Sequence, residues 1–408
     1  MSDNREIDRE VDRQVRSIAG RVAEIFPEAE LRARIRQSIL TSTPLRVKYG
    51  IDPTNPDIHI GHLVPCRVLR LFQDLGHKAV LIIGDYTARI GDPSGRNAER
   101  PGLSEHQVSD YMKLYTDQLF SVVDPDRAEV RYQSEWYADM SLDDTLRILA
   151  KFSVAQMLVH DTFRRRLDDG SRLSLHELVY PTLQAHDSVQ VSADVEIGGT
   201  DQKFNCLCGR DMQRALSQSP QVVVTVPLLM GPDGQKMSKS LENHIPVSAS
   251  ARDVIGRVMS IPDELIEHYI TLATDWTDAR RAEALAKLSG GANPRDVKLA
   301  VARTIADGLA GESDAEAAVN EFVSVFSRGA LPADLAWLEV GVRRIGIIDL
   351  LACTGLASSK SEARRLVKQG GVRVDDRRVR GVDEEVIGES GDERIVRVGR
   401  RRFLGIRF

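Results

Sequence analysis

A short β-branched stretch, Val47 to Ile51, stops at Asp52-Pro53. A few residues on, His59-Ile60-Gly61-His62 opens an amphipathic run, LVPCRVLRLFQDLG. A strand that ends sharply and hands over to a helix constrains the fold more than any other feature of this chain. KAVLIIGD reads as a second strand and QVVVTVPLL as a later one. Strands alternating with helices predict an α/β fold, a parallel sheet covered by helices on both faces.

The residues at that junction carry chemistry as well as topology. A helix N-terminus presents unpaired N–H groups and partial positive charge, which suits a phosphate. Gly61 lets a nucleotide approach the backbone closely. His59 and His62 lie three apart, on one face, placed to donate hydrogen bonds to phosphate oxygens. A zinc pair would need further ligands, and no third His or Cys is suitably spaced. HxGH alone also occurs in small nucleotidyltransferases.

At 408 residues the chain has room for two or three domains. Residues 1 to about 45 read as helical, and the stretch from about Ala98 to Leu158 reads as a mostly helical insertion within the sheet fold. The first unit of this reading spans 1–240. From 241 to 330 five helical segments follow one another, separated by Pro, Gly or Asp, and predict an all-helical domain. Residues 331–340 form a linker, and 341–408 a small α+β domain. That last domain carries 16 Lys and Arg against 10 Asp and Glu, roughly +6, although the whole chain is at −5. An acidic body with a basic appendage suits a protein whose tail holds a polyanion. Four cysteines, Cys66, Cys206, Cys208 and Cys353, have no framework spacing and suit a reducing cytoplasm. No apolar run reaches membrane-spanning length, and the charged N-terminus lacks a signal core.

About 170 residues after His62 stands Lys236-Met237-Ser238-Lys239-Ser240, behind the turn GPDGQ. Two lysines three apart on a Gly-rich loop can bracket a triphosphate and neutralise charge as pyrophosphate departs. A preorganised donor of that kind is worth about 2.7–4 kcal/mol of barrier. HIGH and KMSKS together resemble the two signatures of class I aminoacyl-tRNA synthetases.

KYGIDPTNPDIHIGH, LIIGDYTARIGDPSG, LVYPTLQAHDS and EIGGTDQKFN are similar, nearly end to end, to bacterial tyrosyl-tRNA synthetases. The residues support this independently. Tyr180, Gln184 and Asp187 fall at i, i+4 and i+7, one face of a helix. Phenol, amide and carboxylate on a buried face are costly unless paired, and suit a ligand with an ammonium at one end and a hydroxyl at the other.

The resemblance implies a Rossmann-like catalytic domain and a set of roles. Asp187 would accept the substrate phenol's hydrogen bond, while Tyr180, Gln184 and Asp92 hold its ammonium. Gln202 would face the carboxylate and Asp201 the ribose of ATP. Thr54, His59, His62, Lys236 and Lys239 would surround the phosphates, with Asp52, Gly61 and Ser238 at the nucleotide. Arg96 and Arg100 would help from their segment. ATP arrives with Mg2+, and no tightly bound metal or organic cofactor is implied. One position departs from the family pattern: where its best-known members carry a phenol-touching tyrosine, this chain has Lys48, followed by Tyr49. Either the second phenol contact differs here or the side-chain slot is retuned. His186, beside Asp187, is read as packing.

In the tail, Ser359 and Glu362 form a capping box that starts a helix near Lys360, which ends at Gly370-Gly371. Arg364, Arg365 and Lys368 stand on it. The module resembles the small RNA-binding domain shared with a small-subunit ribosomal protein. Its target would be tRNA(Tyr), bound mainly through phosphates. The family habit is a homodimer joined through the inserted segment, with no membrane or DNA partner. The competing readings are a specialised or resistance paralogue for a related aromatic amino acid, and an RNA-binding scaffold without catalysis.

Overall fold

The β-branched runs do pair as a sheet, and its strand order fixes where a ligand can sit. The computed structural model describes residues 2–54, 58–94, 105–328, 335–375, 377–399 and 402–408. Arg96 and Arg100 fall outside them. Contacts divide the chain into two units, Met1–Gly311 and Glu312–Phe408.

The first unit is built on six strands: β1 (Glu24–Phe26), β2 (Arg46–Ile51), β3 (Lys78–Ile83), β4 (Ala128–Tyr132), β5 (Val195–Gly199) and β6 (Val222–Val226), in the order β1-β6-β5-β2-β3-β4. All neighbours are parallel except β1 against β6. From β2 the chain winds outward through β3 to β4, then returns to lay β5 and β6 on the other side of β2. The order reverses between β2 and β5, and in doubly wound sheets ligands bind beyond the strand carboxyl ends at that reversal.

The helices follow from amphipathic patterning and local caps. α1 (Ser2–Ala19) and α2 (Glu28–Thr41) precede β2, and α3 (Leu63–Asp74) and α4 (Thr87–Ile90) flank β3. α5 (Glu105–Leu119) leads to β4. After it come α6 (Ser134–Tyr137), α7 (Leu142–Leu149), α8 (Val154–Met157), α9 (Asp161–Asp168) and α10 (Leu175–Gln190). α11 (Lys203–Ala215) lies between β5 and β6 and packs on α10. α12 (Ala251–Met259), α13 (Ile266–Leu272), α14 (Asp278–Ser289) and α15 (Pro294–Ala310) complete the unit. α15 begins as its sequence prescribes: Asn293 caps the Arg295 N–H, and Pro294 takes the first position, where no N–H is needed.

The stretch read as a helical insertion is not wholly helical, because β4 lies inside it and forms the sheet edge. Every residue of AEVRY is half-buried, so the strand lacks the apolar alternation that marks buried ones. A second difference concerns His59-Ile60-Gly61-His62. Ile60–His62 is a single 3₁₀ turn, and the α-helix proper starts at Leu63.

The second unit begins with α16 (Glu312–Arg328). Its strands are β7 (Trp337–Glu339), β8 (Arg344–Gly346), β9 (Val372–Val374), β10 (Arg377–Arg378), β11 (Glu385–Ile387), β12 (Glu393–Val398) and β13 (Arg402–Arg407). They form a five-stranded sheet, β10-β9-β12-β13-β7, and a β11-β8 pair, with α17 (Ile347–Cys353) and α18 (Lys360–Lys368). Ile347, Leu350, Ala363, Val372, Val396 and Ile406 form its core. α18 starts where the capping pattern places it, with Ser359 accepting from the Glu362 N–H. The reciprocal half of the box is displaced by one residue, since the Glu362 carboxylate takes the Ser358 N–H at 2.7 Å.

Candidate active site

The carboxyl ends of β2, β3 and β5 open into one cavity of about 780 Å³, lined from both sides of the strand reversal. β2 delivers Asp52 and, beyond it, Thr54. The following turn delivers His59, Gly61 and His62, and the β5 exit delivers Asp201 and Gln202. The loop after β6 contributes Lys236, Ser238 and Lys239. Tyr180, Gln184 and Asp187 enter from one face of α10, and Asp92 from the loop after α4. All the described residues expected in this region line the same cavity.

At the histidine end, the two imidazoles lie tilted against each other with ring centroids 3.9 Å apart, and the His59 backbone N–H donates to His62 Nδ1 at 3.2 Å. A Cβ at Gly61 would stand 2.9 Å from the His59 ring, so glycine here makes room for that imidazole. Burial, then His62, His244 and the two loop lysines, push His59 down to about 2, so its imidazole is a neutral donor. The lysine loop is pinned rather than loose. Met237 is buried, the Ser238 N–H donates to Asn243 Oδ1 at 2.7 Å, and Asn243 Nδ2 donates to Asp233 at 2.8 Å. Lys236 Nζ rests on Asp201 Oδ2 at 2.8 Å. Among the described residues, no three of His, Cys, Asp and Glu converge to hold a metal ion.

At the opposite end the hydrogen bonds turn acceptors into the cavity. Tyr180 donates its hydroxyl to Asp52 Oδ2 at 2.8 Å, which leaves its oxygen lone pairs to accept. Gln184 donates Nε2 to Glu196 Oε1 at 3.2 Å, which leaves Oε1 as the atom it can offer a ligand. Asp92 takes the Ser94 N–H at 2.9 Å and Gln202 Nε2 at 2.7 Å, and burial raises its carboxyl above the ordinary range. Asp52, expected at the nucleotide, is bonded to Tyr180 and to Thr87 Oγ1 at 2.7 Å, so it orients the helix α10 tyrosine. Gly84 permits that bond, since a Cβ there would collide with both partners.

Asp187 closes the far end, 3 % exposed. It accepts Gln133 Nε2 at 2.7 Å, Trp136 Nε1 at 3.1 Å and Tyr137 OH at 3.4 Å. Burial pushes its carboxyl up to about 7, against the pull of Lys48 and the Gln133 and Trp136 bonds. The sequence reading missed this cradle, together with Tyr49 and Tyr115, which also line the cavity. Gln133, Trp136 and Tyr137 follow the carboxyl end of β4, and recognising that strand was the signal that could have found them. His186 packs as expected: its ring lies 5.6 Å from that of Tyr137, with Nδ1 3.3 Å from the Tyr137 hydroxyl.

In the second unit Arg364, Arg365 and Lys368 are all exposed on α18.

A nucleotide-type strand reversal, paired histidines and lysines at one end of a cavity, and an acceptor-lined slot at the other define a class. Residues 40–327 match the family model described as tRNA synthetases class I (W and Y), and the chain belongs to that family. Residues 347–386 match the S4 domain. Within the family, the chain is 44% identical to a tyrosine–tRNA ligase of Thermotoga maritima, over 97% of both chains. It is 46% identical to a tyrosine–tRNA ligase of Dehalococcoides mccartyi strain CBDB1, over 94% of this chain and 95% of that one. The fold is shared with a C-terminally truncated mitochondrial tyrosyl-tRNA synthetase of Aspergillus nidulans: TM-score 0.65, 20% identity, covering 78% of this chain and 94% of that one. It is shared too with a tyrosyl-tRNA synthetase of Archaeoglobus fulgidus solved with L-tyrosine: TM-score 0.61, 23% identity, covering 76% and 99%.

Proposed function

We propose that this chain is a tyrosine–tRNA ligase, which activates L-tyrosine with ATP and passes the tyrosyl group to the 3′ end of its tRNA. The observation that carries the reading is that one cavity joins the His59–His62 and Lys236–Lys239 pairs to a slot whose inward atoms are acceptors. An α-ammonium and a phenolic hydroxyl are the donors such a slot would satisfy.

In this reading the substrate ammonium lies among Tyr180, Gln184 and Asp92, and the phenol donates to Asp187. Gln202 attends the carboxylate, and Asp201 the ribose. Thr54, Gly61, His59, His62, Ser238, Lys236 and Lys239 surround the phosphates. The tyrosine carboxylate attacks the α-phosphate in line, pyrophosphate leaves, and tyrosyl-adenylate stays in place. The terminal ribose hydroxyl of the tRNA then attacks the acyl carbon and AMP leaves. No side chain acts as nucleophile; positioning and charge stabilisation carry the acceleration. Because Lys236 rests on Asp201, a ribose that takes Asp201 frees Lys236 for the departing pyrophosphate. Mg2+ enters with ATP and supplies charge neutralisation on the phosphates.

Helices α12 to α16 and the S4 domain, the latter through Arg364, Arg365 and Lys368, receive the tRNA body. Leu142, Leu146, Val154, Val159 and Leu175, each more than half exposed in the segment around α7 to α10, support a homodimer joined there. We place the reaction in the cytoplasm, in keeping with four cysteines that are all free.

Tyrosine-dependent ATP–pyrophosphate exchange tests the activity. Exchange with tyrosine, and far less with phenylalanine or tryptophan, is expected. Exchange driven best by another amino acid points to a specialised paralogue, and none at all to a scaffold.

A further inference from the structure

Beneath the acceptor slot lies a charge pair that the mechanism above does not use. Lys48 on β2 has no exposed surface, and Glu196 is its direct partner across the β2–β5 ladder. Lys48 Nζ stands 2.8 Å from Glu196 Oε1, and donates to the Gln184 carbonyl at 2.9 Å and Ser188 Oγ at 2.8 Å. Three ammonium hydrogens thus meet three acceptors. Glu196 is equally saturated: Oε1 also takes Gln184 Nε2 at 3.2 Å, and Oε2 takes Gln221 Nε2 and, at 3.4 Å, Ser188 Oγ.

A buried ion pair is a poor source of net stability, since desolvation consumes most of the attraction. What this pair does is spatial. It grips Gln184 at both its backbone carbonyl and its side-chain amide, so the amide oxygen is what remains for a ligand. It also sets the charge under Asp187. The groups facing that carboxylate are Lys48 from β2, Glu196 from β5, Gln133 after β4, Trp136 and Tyr137 from α6, and Tyr180 from α10, with His186 bonded to the Tyr137 hydroxyl. Burial lowers His186 to about 4, so it is neutral near pH 7 and Lys48 is the cation in that ring. Glu196 opposes it.

We propose that the Lys48–Glu196 pair is a positioning and specificity element: it aims the Gln184 side-chain oxygen Oε1 at the substrate ammonium and keeps Asp187 an acceptor for the substrate phenol. This rests on the reading of the slot as a tyrosine site. Neither residue touches the reacting atoms; both act through Gln184 and Asp187. The buried charge thus acts on the phenol's acceptor from below the slot.

The experiment compares the full chain with Lys48→Met and with the double variant Lys48→Met/Glu196→Gln, by ATP–pyrophosphate exchange with tyrosine and phenylalanine from pH 6 to 9. Methionine keeps the volume of the lysine stem, and the double variant leaves no unpaired charge buried. With Lys48→Met, the pH below which KM for tyrosine rises should move up by about one unit, and the tyrosine-over-phenylalanine ratio should fall about fivefold near pH 7, approaching about tenfold toward pH 6. The double variant should bring the pH limb back toward the parent's. Thermal unfolding of each variant separates these effects from loss of fold. Activities that follow only the folded fraction, with the pH limb unmoved in both variants, would overturn the proposal. Absence of tyrosine-dependent exchange in the parent chain would instead strike at the functional reading itself.

Discussion

In the proposed reading, the single buried carboxylate of Asp187 ties stability and recognition to opposite sides of one titration. With its carboxyl raised to about 7, the folded chain holds a proton that the unfolded chain releases near pH 4. The stability this group contributes is therefore complete below the ordinary carboxylate range and is lost as pH rises through about 7. Recognition in the proposed reading runs the other way, because an ionised carboxylate accepts the phenol's hydrogen bond more strongly than a protonated one. KM for tyrosine should rise as pH falls below about 7. Asp187→Asn should remove that limb and raise Tm at pH 8. A limb that persists in the asparagine variant assigns it to another group. Lys239 makes the complementary case at the phosphate end. Lys239→Ala should slow adenylate formation by about 10²–10³-fold, the effect of removing a preorganised donor, while tyrosine Kd changes little. Single-turnover kinetics beside equilibrium titration separate the two, and an unchanged activation rate removes Lys239 from the step.

Individual elements explain why some of this was legible in the sequence and some was not. α10 was legible because Tyr180, Gln184 and Asp187 share a helical face whatever surrounds the helix, and α18 because Ser359 and Gly370 punctuate it locally. β4 was not. An edge strand with every residue half-buried carries no period-2 signal, and without it Gln133, Trp136 and Tyr137 have no reason to meet Asp187. Lys48 was visible as an anomaly, but its partner Glu196 is set by the β2–β5 register, a long-range pairing that no local pattern reveals. The 3₁₀ turn at Ile60–His62 was hidden for a similar reason: tertiary contacts, including the Ile60 N–H to Ile245 carbonyl bond at 3.0 Å, decide it. For α18, Arg364→Ala/Lys368→Ala should weaken tRNA binding without altering tyrosine-dependent exchange. It should also lower the slope of log affinity against log salt by about one for each phosphate left without its cationic partner. An unchanged slope would place the RNA on another face of the S4 domain.

Across the whole molecule, the residues lining the cavity lie in the unit that ends at Gly311, while Arg364, Arg365 and Lys368 lie in the unit that follows. Leu142 at 75 % and Leu175 at 81 % exposure leave an apolar surface on the first unit that water covers poorly. Leu142→Glu/Leu175→Glu should convert a dimer to monomer in sedimentation equilibrium, with Tm of the monomer little changed. Dimers that survive both charges place the interface elsewhere. In the proposed function, tyrosine and ATP meet in one continuous cavity. The most direct measurement is titration of the intact chain with a non-hydrolysable tyrosyl-adenylate analogue, in competition with each substrate. Binding at least about 10²-fold tighter than tyrosine alone is expected, with tyrosine and ATP both displaced. An analogue that leaves either substrate bound beside it would contradict a shared site.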